Sequence, residues 1–338
     1  MSMNNRSRLL HTINLIILSS AIFTTFFGSG TQEANKRVLY NSSANLIFFA
    51  CAIIVSLIVI FFVGFIFYTA FPVFQSQGII NFLITDEWNY GRNTYGIKTY
   101  IMGTLIMTIV TLIMAVPISI FTAIFLSEIA SLRLASSIRP FIELLVGIPS
   151  VVYGIFGLFV LENIFQNYIE PILSSVLGFI PIFVDVNPQS GLGVLLASTV
   201  LSIMVFPTIT TISENAIRSV SVENRHASLS LGANRWETIS KVVLPAASSG
   251  IMTAVVLGMM RAMGETMAIV MLLGNANTIP SSVMGPGYAM TSKILNDIGH
   301  HFNEPGPRAA LFGIAAVLFA IEIGFVLVSR YLGGRNEL

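Results

Sequence analysis

The chain has 338 residues, of which 54% are apolar and only 10% charged. Soluble domains carry roughly 25% charged residues, so this sequence lacks the groups that cover a surface facing water. With a mean hydropathy of +0.83 it is an integral membrane protein. A near balance of 17 basic and 16 acidic residues argues against a nucleic-acid binder, which needs a basic footprint. The long unbroken apolar stretches are unlike the short alternating strands of an outer-membrane barrel. The fold class is therefore all-α, a polytopic helical membrane protein. Its single cysteine, Cys51, has no intrachain partner for a disulfide.

A helix needs about 20 mostly apolar residues to cross the hydrocarbon core. No Asp, Glu, Lys or Arg occurs in residues 9–32, 38–85, 99–127, 144–161, 186–213, 242–260 or 266–292. Six spans are predicted near 46–70, 99–128, 140–160, 191–213, 249–273 and 308–329. A further apolar segment lies near 12–28. There Arg6 and Arg8 precede an apolar run and Gly28-Ser29-Gly30, the layout of a signal peptide. An extra span or a membrane-buried helix is the expected state of this segment, with a peripheral helix as the alternative. The organisation is then an N-terminal segment 1–45, a first core span and loop 46–98, a transmembrane domain 99–330 and a tail 331–338.

Orientation follows from the lysine and arginine bias of the loops. Segments 29–45, 129–140, 214–248 and the C-terminal tail hold Lys36, Arg37, Arg133, Arg139, Arg218, Arg225, Arg235, Lys241, Arg330 and Arg335. The other side holds Arg92, Lys98, Lys293 and Arg308. The first set is predicted to be cytoplasmic, and with it the 214–248 loop and the C-terminus. No loop is long enough for a separate soluble domain, so soluble chemistry has to come from partner chains.

Within that loop, two short helices are expected on either side of Gly232. The glycine suits a C-terminal cap that needs positive φ, and Asn234 suits an N-cap. Trp236, Ile239 and Val243 are expected on one face. Such a knob either lies in the lipid headgroups or docks into a groove on a soluble partner.

The same stretch resembles the EAA loop of ABC importer permeases: Glu-Ala-Ala, three residues, Gly, nine residues, Ile, one residue, Leu-Pro. His226-Ala227-Ser228 takes the first three places, Gly232 the glycine, Val242 the isoleucine and Leu244-Pro245 the end. His226 departs from the family's glutamate. The resemblance implies the transmembrane domain of a type I importer, whose coupling helix passes the closure of two ATPase subunits to the membrane. It assigns ATPase coupling to His226, Ala227, Ser228, Gly232, Ala233, Trp236, Leu244 and Pro245. The chain has no Gly-x-x-x-x-Gly-Lys-Ser/Thr of its own, so ATP hydrolysis is expected on the partners.

Arg261 and Glu265 interrupt the predicted fifth span. Each costs at least ~2.5–3.5 kcal/mol at membrane depth, so both should face the bundle interior or a water-filled path. Four residues apart on a helix they would share a face. They form either a buried ion pair that locks helices together or an anion site, since a guanidinium offers forked donors to an oxyanion. Small residues Gly250, Ala254, Gly258 and Ala262 alongside permit close helix packing. Glu143 is expected to pair with Arg139, and Glu322 to face the bundle. Pro117, Pro149 and Pro207 are expected to break helices and free carbonyls.

Arg261-Ala262-Met263-Gly264-Glu265-Thr266-Met267-Ala268, with Gly274-Asn275, resembles the Arg-Ala-Leu-Gly-Glu-Thr-Met signature of phosphate-specific ABC permeases of the PstC type. Glu143 to Gly154 and Gly103-Thr104 to Pro117 are similar to the same family. The resemblance implies a phosphate path through Arg261 and Glu265, with Thr266 beside them in the signature. It implies as partners two ATPase subunits, a homologous sister permease and an extracytoplasmic phosphate-binding protein, all at a bacterial-type cytoplasmic membrane. An ABC permease for sulfate or molybdate is the alternative, and an ATP-independent channel or secondary transporter a more distant one. No cofactor is expected. His300, His301 and Glu304 are a weak candidate for a metal, and no catalytic constellation is present.

Overall fold

The computed structural model describes residues 32–184 and 190–333. The predicted 12–28 segment and the end of the tail lie outside them. The chain divides into two compact units, residues 1–65 and 66–338.

In the first unit the described residues belong to helix α1 (Gln32–Gln77). Phe48, Ile54, Ile60 and Phe61 are all exposed. A helix that is apolar all round is suited to lipid rather than water.

The second unit contains the end of α1, then α2 (Ile79–Ile84) and a hairpin of β1 (Trp88–Asn89) and β2 (Thr94–Tyr95). The strands pair antiparallel, Trp88 opposite Tyr95. There follow α3 (Lys98–Ile129), α4 (Leu132–Gly147), α5 (Ser150–Leu177), α6 (Val194–Ser219), α7 (Val222–Ser230), α8 (Arg235–Gly264), α9 (Met267–Leu272), α10 (Met290–His301) and α11 (Pro305–Gly333). Among the described residues five helices are long and apolar enough to cross a membrane. Counting α4 and α5 as one broken span gives six, as the uncharged windows predict.

Three expectations are corrected. Pro117 and Pro207 do not break their helices, each lying inside a continuous one, α3 and α6. The span predicted at 140–160 is not straight: α4 and α5 meet at 89°. Pro149 lacks an N–H and disfavours helical backbone at the residue before it, and Ile148 is accordingly extended, with ψ 125°. The Tyr153 hydroxyl crosses the bend to donate to Leu145 O at 3.0 Å. The stretch beyond the predicted span, which ends near 160, is helical as far as Leu177.

Close packing at the centre depends on small residues. A Cβ on Gly258 would stand 2.5 Å from Ile209 Cγ1, and one on Gly250 would stand 2.5 Å from Ala216 Cβ. Ala254 and Ala262 are fully buried. The small-residue ladder is thus the seam between α8 and α6. Against α6 lies α3, where Thr104, Thr108 and Thr111 donate to carbonyls four residues back. Their hydroxyls are satisfied within a buried helix face.

Candidate functional site

The predicted fifth span ends early. Helix α8 stops at Gly264, and Glu265 is extended, with ψ 135°. Arg261 and Glu265 therefore do not stack on one helix face. Arg261 donates from Nη1 to Thr208 Oγ1 on α6 at 3.0 Å. Glu265 Oε1 accepts from Met267 N at 3.1 Å and Ala268 N at 3.3 Å. The two charges form no ion pair, so an Arg261–Glu265 lock is ruled out as the reason for their presence. Thr266 Oγ1 donates to Gly264 O, and Thr291 Oγ1 to Glu265 O at 2.7 Å. The Gly264–Thr266 break is held by its own polar groups and by α10.

The segments similar to the phosphate permeases converge around this break. A Cβ on Gly154 would lie 2.8 Å from Met271 Sδ and 3.1 Å from Ala268 Cα. Only glycine lets α5 approach α9 so closely. Gly103 plays the same part on α3, since a Cβ there would stand 2.3 Å from Tyr288 O. Thr104 Oγ1 then accepts from Met290 N at 2.9 Å, seating the start of α10.

Arg139 does not pair with Glu143. Its Nε and Nη2 both donate to Glu214 Oε1, at 2.9 and 2.7 Å, while Glu143 is exposed. Glu214 is buried at the end of α6 and also lies 3.8 Å from Arg218. A partner 75 residues away leaves no local sequence signal. Glu322, expected to face the bundle, is half-buried on α11 beside Gly264.

The 214–248 loop has the expected helix–glycine–helix form. Helix α7 ends before Gly232, whose φ is +87°. Asn234 and Glu237 form a capping box: Oδ1 accepts from Glu237 N at 2.9 Å, and Asn234 N donates to Glu237 Oε2 at 3.0 Å. Residues 239–243 form a π-helical turn, which allows Pro245 within a continuous α8 by relieving the ring's clash with the preceding turn. The predicted face is also corrected. Ile239 and Val243 enter a buried cluster with Ala123, Ile124 and Ile217, whereas Trp236 is 57% exposed. Leu231 is 89% exposed, giving the knob an apolar tip. A cleft of about 580 Å³ is lined by Ala227, Ser228, Leu231, Gly232, Ala233 and Glu237, among others. Ser228 and Thr238 hydroxyls lie 3.0 Å apart across the two helices. His226 is exposed, as are Ala227 and Pro245, while Leu244 is partly buried against the same cluster.

At the opposite end of α8, sequence reasoning missed a second charged assembly. Lys293 on α10 is 4% exposed and pairs with Asp297 at 2.6 Å. Its Nζ lies 4.7 Å from the centroid of Trp88, 5.2 Å from Tyr100, 5.3 Å from Tyr288 and 5.7 Å from Tyr90. Burial lowers the Lys293 pKa, opposed by the Asp297 carboxylate. Burial raises the phenol of Tyr90, aided by its hydrogen bond to Asp297. His301 stacks on Tyr90 with centroids 3.9 Å apart and meets Glu304 Oε1 at 3.3 Å. The only advance signal was the density of aromatic residues between 88 and 100.

Membrane-crossing helices, a broken helix beside an arginine at membrane depth, and a protruding knob define a membrane-embedded transport subunit. The family of binding-protein-dependent transport system inner membrane components matches residues 128–335. The chain is 35% identical over 260 residues to the phosphate transport system permease protein PstC of Xylella fastidiosa (strain 9a5c), spanning 76% of this chain and 79% of that one. It is 37% identical over 314 residues to the probable ABC transporter permease protein YqgH of Bacillus subtilis (strain 168), spanning 91% and 95%. In fold alone it is similar to the crystal structure of a bacterial ABC transporter involved in the import of alginate. The TM-score is 0.56 at 15% identity, over 88% of this chain and 99% of that one. The chain belongs to the PstC-type permeases of the binding-protein-dependent transport family. It is a multi-pass permease subunit of the inner membrane.

Proposed function

We propose that this chain is a membrane subunit of an ATP-driven importer of inorganic phosphate, and that Arg261 meets the anion in transit. The observation that carries the reading is the state of the Arg261 guanidinium. It is steadied by a neutral hydroxyl, Thr208 Oγ1, and no carboxylate among the described residues neutralises it. Removing a cation from water without a counter-ion is costly, and a passing oxyanion meets that need with forked donors. The relatives named for phosphate transport supply the cargo. Glu265 and Thr266 shape the break beside the arginine, and the engaged Glu265 carboxylate limits how tightly an anion is held. A transit site has to admit the ion and also release it.

Two ATPase subunits on the cytoplasmic side grip the 214–248 knob and its counterpart on a sister permease. A phosphate-binding protein delivers the anion on the outer side. His226, Ala227, Ser228, Gly232, Ala233 and Trp236 face the ATPase, while Leu244 and Pro245 carry its movement into α8. The loop and the C-terminus lie in the cytoplasm, as the basic residues favour. The uninterrupted run from the knob through α8 to Arg261 is a rigid link between the two sites. ATP binding closes the ATPases and opens the path outward, and hydrolysis resets it.

The test is radiolabelled phosphate uptake in cells without their own high-affinity importer, carrying this chain with its neighbouring subunits. Uptake that requires Arg261 and ignores excess sulfate and molybdate is the expected result. Full uptake with Arg261→Gln sinks the arginine's role, and uptake displaced by sulfate or molybdate reassigns the cargo.

A further inference from the structure

Helix α4 is too short to cross the membrane. Its 16 residues reach about 24 Å, less than the ~30 Å hydrocarbon core. Helix α5, Ser150–Leu177, is about 40 Å long and spans the core without it. The two meet at 89°, so a crossing α5 puts α4 close to the membrane plane. Three contacts set its depth. Ser131 caps it just after α3 ends, accepting from Leu134 N at 3.3 Å. Arg139 ties it to Glu214 near the end of α6. Glu128, in the last turn of α3, holds Arg225 of the 214–248 loop. All three lie where α3 and α6 leave the bilayer towards that loop.

The surface of α4 divides into three strips. Ala135, Ile138 and Ile142 pack with Leu126 of α3 and Phe206 of α6. Leu134, Phe141 and Leu144 share a second strip by helical spacing, and they are 46%, 71% and 66% exposed. Ser137 falls among them but returns its hydroxyl to Arg133 O at 3.0 Å, so its donor is met. Arg133, Ser136 and Glu143 form the third strip, and all are exposed. Protein on one side, apolar side chains on the second and charges on the third fit the boundary between acyl chains and headgroups. The core of a contact between subunits is depleted of charge, whereas the third strip keeps water along the helix.

We propose that α4 is an in-plane helix that binds the lipid surface of the leaflet on the side of the 214–248 loop. Leu134, Phe141 and Leu144 enter the acyl chains, and Arg133 reaches the headgroup phosphates. Through the Arg139–Glu214 pair the helix anchors the end of α6, from which the loop springs, to that surface. The proposal is independent of which ion is carried.

The test uses the assembled permease–ATPase complex in vesicles of phosphatidylethanolamine and phosphatidylglycerol. Cys51, the chain's single cysteine, is replaced by alanine, and the partner chains are made cysteine-free. A nitroxide is then attached at Phe141→Cys, Leu144→Cys or Ser136→Cys in turn. All three positions are exposed, so no buried contact is removed. At Phe141→Cys and Leu144→Cys, oxygen, which concentrates in lipid, should relax the label several times more effectively than a water-soluble nickel chelate. At Ser136→Cys the order should reverse. Nickel dominating at 141 and 144 would mean that the strip faces water, and low access for both reagents would mean that another subunit covers it. Either result overturns the proposal. Oxygen dominating at Ser136→Cys overturns it too, because the helix would then lie wholly within the hydrocarbon.

Discussion

Arg225 and Glu128 fasten the 214–248 loop to the end of α3. Nη2 and Nε of the arginine donate to Glu128 Oε1 at 2.8 and 3.2 Å. The same guanidinium donates to Ile217 O at 2.8 Å and to Val220 O. One side chain therefore closes the last turn of α6, holds α7 and binds a neighbouring span. Both partners are largely buried, at 18% and 13% exposure, so the pair is screened less than a surface ion pair.

Removing one partner leaves the other charge unmet, and Glu128→Ala is expected to lower stability by about 2–3 kcal/mol. Thermal unfolding of the solubilised chain measures it. A double-mutant cycle with Arg225→Ala should give a coupling of about 1–3 kcal/mol. Strictly additive losses would show that the loop is held by other contacts.

Gly232 separates backbone strain from crowding. Its φ is +87°, and nothing lies within 4 Å of a Cβ built there. Gly232→Ala should cost about 1–2 kcal/mol from the left-handed backbone alone, and Gly232→Asn less. Gly232→Asp should fold and insert but uncouple ATP hydrolysis from uptake, because the turn is proposed to face the ATPase. Normal uptake with normal ATPase binding in that variant would refute the coupling role.

Much of this arrangement was legible in the sequence. The uncharged windows located the spans because excluding charge from lipid is a strong, local constraint. The glycine turn and its capping residues were readable because caps depend on near neighbours. What the sequence hid is long-range or geometric. Trp236 stays exposed although Ile239, one turn on, is buried, which no 3.6-residue pattern anticipates. The break at Glu265 carries no proline or terminal glycine beyond Gly264 itself, so apolar residues 266–273 read as more of the same helix. Arg139 chose Glu214 over its sequence neighbour Glu143, and Lys293, counted simply as a loop cation, is enclosed by four aromatic rings from three parts of the chain.

The hydroxyl that steadies Arg261 provides a graded test of the anion site. Thr208→Val keeps the side-chain shape and removes the acceptor for Nη1. A neutral-to-charged hydrogen bond contributes about 1.5–3 kcal/mol, so phosphate uptake should fall about tenfold or more while the subunits remain assembled. Thr208→Ser should restore most of it. Uptake unchanged in the valine variant would mean that the guanidinium is positioned by something other than this bond.

The Lys293 assembly predicts a pH dependence of stability with a definite sign. Burial holds the ammonium below its ordinary pKa of 10.5, with the Asp297 hydrogen bond and charge acting the other way. Between that lowered value and 10.5 the unfolded chain binds more protons than the folded one, so stability rises with pH. It is lost again as pH falls through the lowered value. The Tyr90 phenol behaves oppositely: raised from 10.0, it stabilises below 10.0 and loses that contribution as pH climbs through its raised value. The two windows separate if unfolding is followed from neutral pH to 10.0. Over that range the thermal midpoint of wild type should climb relative to a Lys293→Met/Asp297→Asn variant, which removes both charges and leaves no buried ion unpaired. Parallel profiles for the two proteins would show that Lys293 keeps its proton throughout, held by Asp297 and the surrounding rings.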